Sequence, residues 1–89
     1  REIDYEQPRN YYEKELTKSE KENLISNIIN HLSRAVQRIQ YRQVAIFNKV
    51  SKDLGEKLSL GLDLDYSKVD KLSKMSDEER ERHTQKNIN

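Results

Sequence analysis

The side chains in this sequence that could do chemistry are few and scattered. The two histidines, His31 and His83, lie far apart in the chain. Catalysis by His31 would need a nucleophile and an orienting partner, and the sequence offers no Ser/His/Asp or Cys/His set around it. A metal centre would need several ligands at a workable spacing, and with no cysteine anywhere both a thiolate site and a disulfide staple are excluded. Next to Leu32, His31 is expected to satisfy carbonyls at a helix end. Glu13 and Glu15 are a carboxylate pair, but two residues apart on a helix they diverge, so they read as solvated surface. Arg34, Arg38 and Arg42 fall at i, i+4 and i+8 and form a basic stripe. Guanidinium forks suit phosphate, but the plainer reading is a solvated face or bonds to a neighbouring surface. With two glycines in all, there is no glycine-rich phosphate loop.

The elements that must position these residues are helical. Pro8 suits a first helical position and biases Gln7 away from helical angles, which predicts extended chain over 1–7 and a short helix over 8–16 with Tyr11, Tyr12 and Leu16 apolar. Thr17-Lys18-Ser19-Glu20 is a capping box that opens a helix over 18–32. Leu24, Ile25, Ile28, Ile29 and Leu32 share one face of that helix. Ser33 is expected to cap a third helix over 35–50, lined inward by Val36, Ile39, Gln43, Ile46, Phe47 and Val50, with Ala45 permitting close approach. Ser51 is expected to cap a fourth over 52–60, with Leu54, Leu58 and Leu60 apolar, ended by Gly61 at a left-handed position. No hairpin turn or run of β-branched alternation is present, and we see no internal repeat. Beyond residue 62 the apolar residues thin out. Residues 63–89 therefore read as a polar tail, disordered or transiently helical around the capping box Ser76-Asp77-Glu78-Glu79.

Composition sets the outer bounds. The chain has 89 residues, 33% hydrophobic and 37% charged, with a net charge of +1. It holds one domain at most, burying about 60–65% of its unfolded surface. The balanced charge gives no global footprint for nucleic acid or an anionic membrane. No apolar run approaches the roughly 20 residues of a membrane span, and the start lacks a signal-peptide layout. A cytoplasmic location is the expectation. The chain opens on Arg1 rather than Met, which suggests a piece of something longer.

The order of these segments resembles the C-terminal helical domain of the haem-containing monofunctional catalases. The resemblance is carried by Asp4-Tyr5-Glu6-Gln7-Pro8-Arg9-Asn10-Tyr11-Tyr12, then Leu16, Asn27-Ile28-Ile29-Asn30-His31-Leu32, Ile39-Gln40, Phe47 with Lys49-Val50, and Leu54-Gly55. It covers residues 4–62; Asn30 departs from the family's usual Gly before His-Leu. It implies that the all-α bundle of about four helices over 8–62 is such a domain, joined by an extended linker over 1–7 to an upstream domain; the flexible tail over 63–89 lies beyond the resemblance. It further implies a parent, usually a homotetramer, that disproportionates hydrogen peroxide to water and oxygen at a haem in a barrel domain. The family's Arg-x-Phe-x-Tyr haem setting does not occur in this sequence. No catalytic residue or metal ligand carries over, and the chain alone is expected to be inactive, packing on the barrel.

What does carry over is an NADPH edge, onto Gln7, Tyr11 and Glu15. Gln7 matches, Tyr11 stands for the usual Phe, and Glu15 stands for an apolar residue and would repel a phosphate. The i, i+4, i+8 spacing puts the three on one side of a helix. Two other readings compete: an independent helical module binding an acidic protein or nucleic acid through Arg34, Arg38 and Arg42, and a truncated gene product without activity.

Overall fold

The computed structural model describes residues 4–86, which form six α-helices and, among the described residues, no strand. Arg1 and the rest of 1–3 and 87–89 lie outside them. The first helix, α1 (Glu6–Asn10), continues into a wider π-helical turn over Tyr11–Glu15. Gln7 is helical and Pro8 takes the third helical position, so the chain is helical earlier than expected. The first-turn amides have no intrahelical partner, so proline loses no bond there. The Asp4 carboxylate accepts the Glu6 N–H at 2.9 Å in its place. Residues α2 (Lys18–Leu32), α3 (Gln37–Val50) and α4 (Lys52–Gly61) follow.

The box at Thr17 forms in full, with both reciprocal bonds present. The expected caps at Ser33 and Ser51 do not. Ser33 ends α2 and its hydroxyl donates to the Asn30 carbonyl, while Val36 precedes α3. Ser51 does precede α4, but its hydroxyl is turned to Glu13. His31 is exposed, and the terminal Leu32 carbonyl is instead taken by the Gln40 side-chain amide at 2.9 Å.

The central helix is α3: α4 and the later α5 (Tyr66–Ser73) pack against it, and α2 packs on α4. Its inner side is rotated from the expected one. Tyr41, Val44 and Ala45 are buried with Gln40 and Asn48, whereas Ile39, Gln43, Ile46, Phe47 and Val50 are half-buried and Val36 is exposed. Val44, Leu58 and Val69 are fully enclosed, each removing about 1.5–3 kcal/mol of apolar exposure. Leu60, expected on the inner side, is 84% exposed. Two glycines mark close helix crossings. A Cβ on Gly55 would strike the Asn48 side chain, and one on Gly61 would strike Ile29.

Gly61 therefore serves packing rather than chain reversal. It has no positive φ, and the left-handed residue after α4 is Asp63, at φ 56°. Around it the Leu64 N–H donates to the Ser59 carbonyl (2.8 Å) and the Asp63 N–H to that of Leu60 (3.3 Å). These are the two bonds of a Schellman termination, with an aspartate where glycine is usual.

The expectation of about four helices and a flexible tail is corrected for residues 63–84, which fold back as α5 and α6 (Asp77–His83). The reason is apolar burial of Leu64, Val69 and Leu72 in the core, reinforced by polar anchors. Tyr41 accepts the Asp65 N–H at the start of α5 (3.0 Å). Asn48 accepts from the Tyr66 hydroxyl (2.8 Å) and donates to Ser73 (3.1 Å). Arg80, 3% exposed, donates to the Leu72 (3.1 Å) and Met75 (2.7 Å) carbonyls and to the Asp77 carboxylate (2.8 Å). The box at Ser76 forms in full.

Candidate functional site

The N-terminal segment is held on the junction of α3 and α4 by side chains from one of its faces. Arg9 donates to the Val50 (3.0 Å) and Lys49 (2.9 Å) carbonyls, two of the unfilled acceptors at the end of α3. Glu13 accepts the Ser51 hydroxyl at 2.9 Å. Tyr12, 2% exposed, donates its hydroxyl to Asp53 at 2.8 Å, and Lys57 donates to the same carboxylate oxygen at 3.1 Å. The Lys21 ammonium stands 5.1 Å from the centre of the Tyr12 ring.

Burial, then the carboxylate partner, pushes the Tyr12 hydroxyl well above its ordinary range and keeps it protonated. For Asp53 burial alone would raise the carboxyl, but the bonds from Tyr12 and Lys57 prevail and hold it below its ordinary value. The π turn closes with the Leu16 N–H on the Tyr11 carbonyl at 3.1 Å. Tyr12 and Glu13 lie within this turn and are the residues that reach α4.

This docking turns the other face outward. Gln7, Tyr11 and Glu15 are all exposed, Tyr11 at 55%, and stand on the solvent side of the segment. A carboxylate at the third of these positions gives the edge a negative charge. The arginine stripe is divided: Arg34 is exposed, whereas Arg38 and Arg42 reach the end of α6. Arg42 donates to the Thr84 hydroxyl (2.7 Å) and carbonyl (3.3 Å), and Arg38 to the same carbonyl (3.3 Å). Two of the three guanidiniums are thus bonded inside the fold.

Tyr12 with Asp53, Arg9 with the end of α3, and Arg42 with Thr84 each join residues about forty positions apart, which no local spacing announces. Among the described residues no group of three His, Cys, Asp or Glu could hold a metal, and no helix is long and apolar enough to cross a membrane.

A family profile described as "Catalase-related immune-responsive" matches residues 1–62. The chain is 43% identical over 83 residues, 93% of its length, to a catalase of Methanosarcina barkeri, of which it spans 16%. It is 44% identical over 61 residues, 68% of its length, to a peroxisomal catalase of Toxoplasma gondii, of which it spans 12%. It is 35% identical over 74 residues, 82% of its length, to a catalase-A of Dictyostelium discoideum, of which it spans 15%. No solved structure matches the chain at a comparable level. The chain therefore spans less than a fifth of these curated relatives.

Proposed function

The chain belongs to the catalase-related immune-responsive family, and from that premise we propose that it is the C-terminal helical domain of a haem catalase. The parent disproportionates hydrogen peroxide to water and oxygen, and this domain packs on its barrel. The observation that carries the reading is the 43% identity that runs through 93% of this chain while spanning 16% of a named catalase. Haem, when bound in the parent, supplies the redox chemistry. We assign it to the part of the parent outside residues 1–89. In support, both buried tyrosine hydroxyls are already engaged here, Tyr12 with Asp53 and Tyr41 with the Asp65 N–H, and both histidines are exposed.

The work of this chain's own residues is then structural and positional. Arg9, Tyr12 and Glu13 fix the N-terminal segment on α3 and α4, and thereby present Gln7 and Tyr11 outward to frame an NADPH cleft completed by the barrel. Glu15 belongs to the same edge but is a poor phosphate neighbour, so we place it at the rim, away from the phosphates. Within that reading residues 6–84 are the helical domain and the chain before them the connection from the barrel, in a homotetrameric, cytoplasmic parent.

The test is an assay of the parent protein with and without residues 1–89. The isolated chain is expected to bind no haem and decompose no peroxide, and the parent is expected to do both. Peroxide decomposition by the isolated chain would overturn the assignment. Titration of the parent with NADPH checks the cleft: Tyr11→Ala is expected to weaken binding by about tenfold, and unchanged binding would remove Gln7 and Tyr11 from it. The stripe offers little to the competing binding-module reading, since Arg38 and Arg42 are spent on Thr84.

A further inference from the structure

One surface is explained neither by the core nor by the N-terminal edge: a groove of about 600 Å³ between α2 and α3. Its walls are Ile28 and Leu32 on one side and Ile39 and Phe47 on the other, with His31 and Gln43 among the polar groups beside them. None of the eight residues that line it carries a fixed charge, in a chain whose residues are 37% charged. Ile28, Ile39 and Phe47 are only half-buried, and so are Leu24, Ile25 and Ile29. The main cover of α2 comes from α4, and Leu32 is the one buried member of its apolar row.

We propose that this groove seats an uncharged, apolar segment from the rest of the same polypeptide, a proposal that rests on the reading of the chain as one part of a catalase. A lining without fixed charge disfavours nucleic acid and lipid headgroups, which require cationic partners. It suits aliphatic or aromatic side chains, with Gln43 and His31 available to backbone groups of the incoming segment. Size decides between a tethered segment and a second copy. A dimer that forms from free monomers buries about 800 Å² on each partner, whereas this groove is on the scale of a single-ligand cleft. A tethered segment arrives at an effective concentration near millimolar, so a small contact suffices. More than four-fifths of each curated relative lies outside the stretch matched by this chain, so a tethered occupant is at hand.

The test uses the intact parent and its own two histidines. His31 lines the groove and His83 does not, yet both are exposed in this chain. Carbethoxylation by diethylpyrocarbonate, read peptide by peptide, is expected to modify His31 at least about tenfold more slowly than His83, because reagent must wait for the segment to lift. Ile39→Asp in the parent is expected to bring the two rates within about twofold of each other. Equal rates in the unaltered, active parent would overturn the groove assignment alone. A parent without catalase activity would overturn the reading beneath it. Protection of His31 that vanishes once light scattering shows only monomer would assign the groove to a second copy and overturn the proposal as well.

Discussion

Replacing Arg80 with alanine should release the last helix from the fold. The guanidinium is 3% exposed and makes three bonds, two to carbonyls at and beyond the end of α5 and one to Asp77. The Asp77 carboxylate is 67% exposed, and a pair with so exposed a partner contributes about 0–1 kcal/mol. The two carbonyl bonds come from a charged donor, for which a net of about 1.5–3 kcal/mol each is usual. Truncation to alanine lets water reach part of the freed surface, so the expected loss is about 2–4 kcal/mol rather than the sum. Because α6 packs on α5 at the far end of the chain, the loss should appear as local opening before global melting. Amide exchange followed by mass spectrometry is the direct assay. Amides over Arg80–Thr84 should exchange about 30- to 700-fold faster, at 1.4 kcal/mol per decade, while those of Val44–Asn48 in α3 stay protected. Arg80→Lys keeps the charge but loses the planar fork, and should recover less than half of the protection. Acceleration below about threefold in the alanine variant, or full recovery by lysine, would refute the reasoning that this fork anchors the helix.

Three further outcomes follow from the same structure. Asp63→Gly should raise stability by about 0.5–1 kcal/mol in urea melts, since glycine accepts the left-handed φ of 56° without a side-chain penalty. Gly55→Ala should cost about 1–3 kcal/mol, because the added methyl meets the Asn48 side chain that ties α3 to α5; an unchanged melting temperature would remove that crossing as a constraint. The Tyr12–Asp53 bond should give stability a dependence on pH at both ends. Asp53 is lowered below its ordinary 3.8, so its contribution is present above that value and fades as pH falls through the folded one. Tyr12 is raised above its ordinary 10.0, so its contribution is whole below pH 10 and fades as pH rises beyond it. Tyr12→Phe should flatten the alkaline limb in melts taken from pH 8 to 11, and a limb of unchanged slope would show that another group carries it.

The parts of this protein legible in its sequence are those set by neighbours within one or two turns. The box Thr17-Lys18-Ser19-Glu20 fixes the start of α2 because both of its bonds join residues three apart. The spacing from Leu24 to Leu32 gives α2 its apolar row, and the all-helical class follows from such periods. The second box, at Ser76, is as plain as the first and does open a helix. Its docking was hidden because the apolar count that signals a packed helix is low there. The anchors are Arg80 on two carbonyls and Thr84 beneath Arg42, and polar anchors leave no periodic trace.

The N-terminal edge divides in the same way. The order Gln7, Tyr11, Glu15 can be read along the chain, but which face of the segment turns to solvent cannot. That was decided by Arg9, Tyr12 and Glu13 finding Val50, Asp53 and Ser51, about forty residues away. By itself the sequence determined the all-helical class, the helices up to residue 62, the two capping boxes and the family. Only the tertiary structure decided that Arg38 and Arg42 face inward, that Asp63 rather than Gly61 reverses the chain, and that residues 63–84 belong to the fold. Each of these depends on which distant acceptor or close crossing a side chain meets, and helical periodicity carries no information about partners beyond the next turn.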